Sequence, residues 1–301
     1  MRSTVVVVTW RGREHIEACL SALRAQDRPH RILVVDNASD DGTAELLRDV
    51  DVLRLKQNLG YAGGIAAALP RVGTEFVAWL NDDAAPEPDW LGALEKALDD
   101  RPDAAAASSV LLTPAGTVQS TGVRLTADGH GADVNQETQE VFGFCGGAVL
   151  LRTEVLRAVG GVPADFFCYY EDTETAWRLR LDGHEIVPAP NARVLHQHGA
   201  STKPGSRSFH RWNERNRLLM LLRCAPAGVA LTQLARFAAI TALLPLRGSR
   251  PDAANFSVRL RLRVLGEVLV RLPRSLAARR RVEASRGARN AIWRKWAGQT
   301  P

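Results

Sequence analysis

The chain of 301 residues lacks the cysteine pattern of a zinc site or a disulfide framework. Its four cysteines (Cys19, Cys145, Cys168 and Cys224) are scattered and form no C-x-x-C pair, a usage that suits a reducing cytosol. The N-terminus shows no signal peptide, because residues 1–3 (MRS) lead straight into a strand-like run with no small-residue cleavage site. We therefore expect a cytoplasmic protein.

Two common phosphate-binding motifs are missing as well. Residues 9–13 read TWRGR and follow the first predicted strand, where a nucleotide-binding fold often carries its glycine-rich turn. They contain neither G-x-G-x-x-G nor a P-loop. A dinucleotide-binding fold of the usual kind is therefore disfavoured.

Charge is distributed unevenly along the chain, whose net charge is +6. Residues 247–301 hold fourteen Arg and Lys against three Asp and Glu, a net charge of +11. The preceding 246 residues hold 25 against 30, a net charge of −5. Basic tails seek phosphate, either on nucleic acid or on anionic lipid.

Strand-like and helix-like segments alternate four times in the first hundred residues. The predicted strands are 4–9, 31–35, 50–55 and 76–80. The predicted helices are 13–26, one through Leu46 and Leu47, one that ends at Leu69, and 89–98. This alternation predicts a parallel sheet with helices on both faces.

The pattern is less regular after residue 100. Strands are predicted at 104–112, 141–151, 185–187 and 192–198, with a long polar stretch over 113–140. Helices are predicted from Thr153, over 171–181 and over 208–222.

The C-terminal region combines apolar and basic character. Residues 224–246 are apolar but contain Arg236, and a central arginine costs roughly 2.5–3.5 kcal/mol in a membrane span. An interfacial or packed helix is therefore favoured over a true span. Residues 255–296 are arginine-rich, and an apolar stripe runs along them: Val258, Leu262, Leu265, Leu269 and Leu272. A membrane-surface helix fits this pattern, and a helix that caps the domain with a solvated basic face fits it equally.

The apolar run 76–80 ends directly on Asn81, Asp82 and Asp83. Its length predicts a buried strand, and open α/β sheets bind ligands at the carboxyl ends of their strands. Adjacent carboxylates repel each other unless a cation lies between them, as a divalent ion that also holds a diphosphate would. The alternative is a solvated turn, since Pro86 follows closely.

Three further groups have the chemistry of a nucleotide site. Asp36 ends the second strand, where its carboxylate can accept from a base imide or a ribose hydroxyl, or else cap the next helix. Residues 57–64 (QNLGYAGG) allow close backbone approach and open a helix whose N-terminus favours anions. His196 and His198 lie on one face of a strand, and neutral imidazoles bind metals.

Seven short motifs follow one another within residues 3–220. They are 36–43 (DNASDDGT), 58–64 (NLGYAGG), 80–83 (LNDD), 146–148 (GGA), 169–172 (YYED), 177–180 (WRLR) and 196–201 (HQHGAS). In this order they resemble the family 2 glycosyltransferases, especially the rhamnosyltransferase- and galactofuranosyltransferase-like branch. The resemblance implies an α/β fold of GT-A type, with a Rossmann-like, mostly parallel sheet flanked by helices. It covers a GT-A domain of residues 1–223, with a nucleotide-binding half (1–100) and an acceptor and catalytic half (101–223), followed by a helical basic extension (224–301).

The resemblance also implies a divalent metal, Mg²⁺ or Mn²⁺, at the carboxyl end of the fourth strand. Asp83 matches the last acid of the family's D-x-D-like motif, whose first position is Asn81 here. His196 matches the histidine of the H-x-x-G-x-S motif and is favoured as the second ligand over His198.

Asp172 is the general base that the resemblance implies. Inverting sugar transfer needs a carboxylate that deprotonates the acceptor hydroxyl opposite the leaving group. Because Glu171 and Asp172 open a helix, the alternative is that they complement its dipole. Secondary candidates are Glu171 itself, Trp177, which we expect to be partly core, and Arg178, which could reach a phosphate.

The remaining site candidates are expected to bind the nucleotide sugar. They are Thr9, Asp36, Asn58, Gly60, Gly64, Asn81, Asp82, Gly146 and Gly147.

These motifs predict an inverting, metal-dependent glycosyltransferase with a nucleoside diphosphate sugar as donor, dTDP-rhamnose being the first expectation. The expected acceptor is a hydroxyl of a glycan or a polyprenyl-diphosphate-linked glycan. The basic region would contact anionic lipid at the inner face of the plasma membrane, whereas nucleic acid is disfavoured as a partner. The alternatives are a nucleotidyltransferase, for which residues 9–13 match poorly, and a non-catalytic nucleotide-sugar-binding protein with a basic tail.

Overall fold

A computed structural model describes residues 1–197, 205–246 and 253–298. The described residues form two compact units. The first consists of residues 1–124 and 132–197, and the second of residues 125–131, 205–246 and 253–298.

The first unit is built around one mixed sheet. Its strands, in chain order, are β1 (Ser3–Thr9), β2 (His30–Asp36), β3 (Asp51–Arg54), β4 (Phe76–Asn81), β5 (Ala84–Pro86), β6 (Ala104–Leu112), β7 (Val118–Ser120), β10 (Ala148–Arg152) and β11 (Glu185–His196). Strands β8 (Val123–Leu125) and β9 (Gly131–Asp133) pair with each other in a separate two-stranded sheet. The sheet order is β3-β2-β1-β4-β10-β6-β11-β5, with β7 paired to β6. Strands β1 to β4 are mutually parallel, whereas β10 runs antiparallel to both of its neighbours. The predicted mostly parallel α/β sheet is confirmed.

Helices cover this sheet because its central strands are apolar on both faces. The helices of the first unit are α1 (Ile16–Arg24), α2 (Gly60–Ala68), α3 (Trp90–Asp99), α4 (Thr153–Ala158) and α5 (Glu171–Leu181). Alternation along β1 places Val5 and Val7 in one core with the buried residues of α1 and α3. Val8 points to the other face, where α2 approaches so closely that a Cβ on Gly64 would lie 2.6 Å from Val8 Cγ1.

Three predicted elements differ from the structure. The helix through Leu46 and Leu47 is only a 3₁₀ turn, Thr43–Leu47. The two short strands predicted in 185–198 are one strand, β11, whose register shifts between Pro188 and Arg193; residue 198 lies outside the described residues.

The third difference concerns the strand predicted at 141–151, of which only β10 forms. The Gly146 N–H donates to the Asp172 carboxylate instead of to a neighbouring strand, so the ladder begins after the glycines.

The second unit is helical and contains α6 (Arg207–Cys224), α7 (Ala227–Leu243), α8 (Val258–Arg281) and α9 (Arg286–Trp296). Helix α8 buries Leu260, Val264 and Val268, which recur every four residues on one face. Arg289 donates to the last carbonyls of α6, at Arg223 and Cys224, and thereby caps that helix. The C-terminal helices that the sequence predicted are confirmed.

One helical stretch in the described part of the chain, Ala227–Leu246, has the length and apolar composition to cross a membrane. Of this stretch 28% is buried.

Candidate active site

Three of the predicted donor-binding residues lie at the carboxyl ends of adjacent strands. The register of β1 with β2 pairs Thr9 with Asp36, and that of β1 with β4 pairs Val8 with Asn81. Parallel strands thus bring Thr9, Asp36 and Asn81 to one edge of the sheet, where ligands of such folds bind.

Asp82 lies at this edge, buried, and faces β1. Its Oδ2 accepts a hydrogen bond from Thr9 Oγ1 at 2.6 Å. Burial raises the pKa of Asp82 to about 6, against the hydrogen bond from Thr9, and the charge of Asp83 adds to the rise. Asp82 therefore gives up its proton near neutral pH.

Gly12 is part of this arrangement, although the sequence reasoning did not select it. A Cβ at Gly12 would lie 2.2 Å from Thr9 Oγ1 and 2.4 Å from Asp82 Oδ2. Any side chain here would displace the Thr9–Asp82 pair. The only signal in the sequence was its place in the turn after β1.

The structure brings Asp83 and His196 together across the sheet. Pairing of β5 with β11 sets His196 opposite Ala84, the residue after Asp83. Asp83 Oδ1 lies 3.2 Å from His196 Nε2, and Asn81 Nδ2 lies 3.0 Å from the same nitrogen. Both Asp83 and His196 are buried.

The donor atoms of this group fit a divalent cation. His196 Nε2 and Asp83 Oδ1, a nitrogen and a carboxylate oxygen that can each bind a metal, face each other at 3.2 Å. Ligands in neighbouring positions of an octahedral Mg²⁺ site, with bonds of about 2.1 Å, are about 3 Å apart.

Among the described residues there is no group of three or more His, Cys, Asp or Glu side chains that could hold a metal. Asp83 and His196 would therefore supply two ligands, and substrate phosphates and water the others, as is usual for Mg²⁺. The other candidate ligand, His198, lies outside the described residues.

Asp172, the predicted base, is partly exposed at the start of α5. Its Oδ2 accepts from Gly146 N at 3.0 Å, and its Oδ1 accepts from the N–H and hydroxyl of Thr173. Burial raises the pKa of Asp172 above its usual range, and the hydrogen bonds from Gly146 and Thr173 oppose the rise. These donors fix the orientation of the carboxylate.

Gly146 and Gly147 connect the predicted base to the predicted metal ligands. Gly146 holds Asp172, whereas the Gly147 carbonyl accepts from Asn81 N at 3.0 Å. A Cβ on Gly147 would lie 3.5 Å from Asn81 Nδ2 and 3.7 Å from His196 Nε2. One dipeptide therefore touches the surroundings of both groups.

Glu171 is buried beside Asp172. Within the part of the chain that the structure describes, its Oε2 has no hydrogen-bond partner. Burial, followed by the charge of Asp172, raises the pKa of Glu171 to about 8. At neutral pH Glu171 is therefore largely protonated.

The loop that leads into α5 is strained. Phe167, Tyr169 and Tyr170 all have positive φ angles, between 68° and 72°. Such strain persists only where the surroundings enforce it, and it concentrates at functional sites. The loop is anchored to α2, because the Phe167 carbonyl accepts from Ala62 N at 3.1 Å.

The glycine-rich segment before α2 is held by side chains. Asn58 Oδ1 accepts from Gly60 N at 2.7 Å, and Asn37, which the sequence reasoning did not select, donates to the Gly60 carbonyl. Asp36 Oδ1 accepts from Ser39 N, so this carboxylate does stabilise its own turn. Gly64 lies against Val8, and helix packing accounts for the absence of a side chain there.

Trp177 and Arg178 have structural surroundings. Trp177 is fully buried and packs edge-on against Phe142. Arg178 is also buried, pairs with Glu174 at 2.8 Å and donates to carbonyl oxygens of the preceding loop, among them that of Gly161. This corrects the expectation that Arg178 reaches a phosphate, because these partners engage its guanidinium.

Comparison with known proteins agrees with this geometry. Residues 4–160 match the family described as "Glycosyl transferase family 2". The N-acetylglucosaminyl-diphospho-decaprenol L-rhamnosyltransferase of Mycobacterium tuberculosis is 27% identical over 235 residues, covering 66% of this chain and 76% of that protein. The galactofuranosyltransferase GlfT1 of Mycolicibacterium smegmatis is 40% identical over 86 residues, covering 26% of this chain and 28% of that protein.

The fold also has a solved counterpart. The mannosyltransferase PcManGT from Pyrobaculum calidifontis, in complex with GDP-Man and Mn²⁺, aligns with a TM-score of 0.53 and 21% identity. The alignment covers 98% of this chain and 79% of that one. The family match spans more than half of the chain, so this protein belongs to glycosyltransferase family 2 and is a sugar-transferring enzyme that uses a nucleotide-sugar donor.

Proposed function

We propose that the enzyme is an inverting, divalent-metal-dependent glycosyltransferase that transfers rhamnose from dTDP-rhamnose to a polyprenyl-diphosphate-linked glycan. The donor and acceptor are proposed from the name of the mycobacterial relative, which gives a rhamnosyltransferase and a decaprenol-linked substrate. The inverting course is proposed because Asp172, a partly exposed carboxylate, could serve as the single base that such a transfer needs.

The observation that carries this proposal is the Gly146–Gly147 dipeptide. It contacts Asp172 through one residue and the surroundings of Asp83 and His196 through the next. Transfer needs the base at the acceptor hydroxyl and the cation at the donor diphosphate to act within one complex. A dipeptide that contacts the surroundings of both groups supports this arrangement.

Each group then has a step that its surroundings suit. Asp83 and His196 would hold the cation, which supplies positive charge to the departing diphosphate. Asp172, oriented by Gly146 and Thr173, accepts the proton of the acceptor hydroxyl as the new glycosidic bond forms. Thr9 and Asp82 hold the donor at the end of β1.

A panel of nucleotide sugars tests the function directly. We expect the purified protein to bind dTDP-rhamnose, to hydrolyse it slowly in Mn²⁺ or Mg²⁺, and to lose hydrolysis in EDTA. Binding without hydrolysis or transfer, even with lipid-linked acceptor present, would favour the non-catalytic alternative. If no nucleotide sugar binds and EDTA has no effect, the proposal is wrong.

The role of Asp172 can be tested separately. Asp172→Asn keeps an oxygen for the Thr173 donors but cannot accept a proton, so we expect transfer to fall about 10²–10⁴-fold while donor binding is retained. Asp182→Asn, an exposed aspartate at the end of the same helix, is the matched control and should retain activity. Undiminished transfer by Asp172→Asn would refute the assignment.

We also propose that the second unit rests on the cytoplasmic face of the plasma membrane, where a polyprenyl-linked acceptor would lie. Helix α7 exposes Leu231 and Leu243, and α8 exposes Leu262 and Leu269. The region from residue 247 onward has a net charge of +11. Exposed leucines beside arginines are typical of helices that lie in an anionic membrane surface.

A further inference from the structure

Gln119 lies next to the proposed metal ligands, although no motif selected it. Its side-chain oxygen, Oε1, lies 3.1 Å from His196 Nδ1. An amide oxygen can only accept, so His196 must carry its proton on Nδ1. In the neutral ring the second nitrogen, Nε2, then carries a lone pair that can bind a metal.

Asn81 fits the same tautomer. Its Nδ2 lies 3.0 Å from Nε2 and can donate to that nitrogen when Nε2 carries no proton. One amide side chain thus contacts each ring nitrogen, and Nε2 faces Asp83 Oδ1 at 3.2 Å.

A β-bulge aims Gln119 at the histidine. In the pairing of β6 with β7, Leu111 faces Ser120 and Leu112 faces Val118, so Gln119 is the extra residue. Bulges of this kind redirect side chains and are frequent beside active sites. On its other side β6 pairs with β11 as far as Leu195, the residue before His196, so Gln119 reaches across the end of β6.

We propose that Gln119 is a positioning residue that sets His196 to bind the divalent cation through Nε2. The proposal rests on the metal dependence proposed above. Partners on the second nitrogen of a ligating histidine fix its tautomer and orientation, and their loss typically costs 10–100-fold in metal affinity.

Histidine tautomers can be read by ¹⁵N NMR without any metal. In protein labelled with ¹⁵N-histidine, the signals of His196 are identified as those that are missing in His196→Asn. In the wild type we expect these signals to show a protonated Nδ1 and an unprotonated Nε2. Gln119→Met removes the acceptor at nearly constant length, and we expect that tautomer to lose its dominance. A wild-type His196 protonated on Nε2 would overturn the proposal.

Metal affinity is the second readout. We expect Gln119→Met to raise the Mn²⁺ dissociation constant, titrated in the presence of donor nucleotide, about 10–100-fold. Gln119→Glu keeps an acceptor for His196 Nδ1, and we expect it to bind Mn²⁺ at least as well as wild type. This variant tests the proposal if Gln119→Met does not fold. Gln139→Met, on an exposed glutamine, is the matched control and should match wild type.

The outcomes separate this inference from the proposed function. An Mn²⁺ affinity of Gln119→Met within twofold of wild type would overturn the role of Gln119 and leave metal dependence intact. If wild type binds no Mn²⁺, metal dependence itself fails and the Gln119 proposal fails with it.

Discussion

At the residue scale, three carboxylic acids near the site differ in what surrounds them. Asp82 has one hydroxyl donor, Asp172 has three donors, and Glu171 has an oxygen with no partner among the described residues. Burial raises the pKa of all three, to about 6 for Asp82 and about 8 for Glu171. At neutral pH Glu171 therefore keeps its proton, whereas Asp82 is ionised. A neutral Glu171 places no second charge beside Asp172.

The protonation of Glu171 predicts how stability changes with pH. Its pKa is higher in the folded protein, about 8, than the ordinary value of 4.5, so the folded state binds the proton more tightly than the unfolded state. Stability is therefore lost as pH rises from about 4.5 to about 8. Glu171→Gln resembles the protonated form, and we expect it to gain roughly 1–3 kcal/mol in unfolding free energy at pH 8 and little at pH 5. Urea denaturation at both pH values measures the difference.

Glu137→Gln changes an exposed glutamate and is the control for the loss of one negative charge. We expect this variant to show no pH-dependent gain in unfolding free energy. A Glu171→Gln variant that is less stable than wild type at pH 8 would show instead that Glu171 is charged and paired in the folded protein.

At the element scale, the loop before α5 depends on α2. Three residues of this loop, Phe167, Tyr169 and Tyr170, adopt positive φ, which costs a non-glycine residue roughly 1–2 kcal/mol each. The start of α2 fits against them only because Gly60 has no side chain: a Cβ there would lie 2.1 Å from the Phe167 carbonyl oxygen. Positions 60 and 167 are thus coupled, and Asp172 follows five residues later.

Gly60→Ala tests this coupling. Gly60 itself has φ +73°, and the clash is with backbone, so no side-chain movement relieves it. We expect a loss of roughly 2–4 kcal/mol in stability and, in the folded fraction, a kcat reduced at least tenfold because the Asp172 loop shifts. Gly73→Ala is the control, since nothing lies within 4 Å of its Cβ position. If the kcat of Gly60→Ala were unchanged, the contact between α2 and Phe167 would not determine the position of Asp172.

Elements whose determinants are local were predictable from the sequence, and those that depend on distant partners were not. Helix α5 and strand β6 have the predicted bounds, because periodicity and local composition define them. The start of β10 was missed because Gly146 bonds to a side chain 26 residues away. Gln119 and Gly12 were missed for the same reason: the β6–β7 register and the approach of Asp82 to the turn after β1 exist only in the folded sheet.

On the scale of the whole molecule, an acidic body of −5 is joined to a basic C-terminal region of +11. The apolar stripe predicted on α8 does not coincide with the face that packs. Leu260, Val264 and Val268 are buried, whereas Leu262 and Leu269 of the predicted stripe are 57% and 62% exposed. Helix α8 therefore packs by one face and leaves a second apolar face uncovered within the described residues. The membrane-surface interpretation of the sequence stays a prediction, and this uncovered face is the one that it would use.

The proposed membrane contact predicts that lipid binding depends on this second face. Deleting α8 would also remove Leu260, Val264 and Val268 from the core of the second unit, so substitution is the sharper test. We expect the double variant Leu262→Gln and Leu269→Gln to bind phosphatidylglycerol-containing vesicles at least about tenfold more weakly, because the two leucines would otherwise move from water into the membrane surface.

Ala277→Gln, at an exposed position on the same helix, is the control and should bind as wild type does. Raised salt should weaken the binding of all forms, since arginine attraction to anionic lipid is screened. Vesicle sedimentation measures each case, and equal binding by wild type and the double variant would refute the contact through α8.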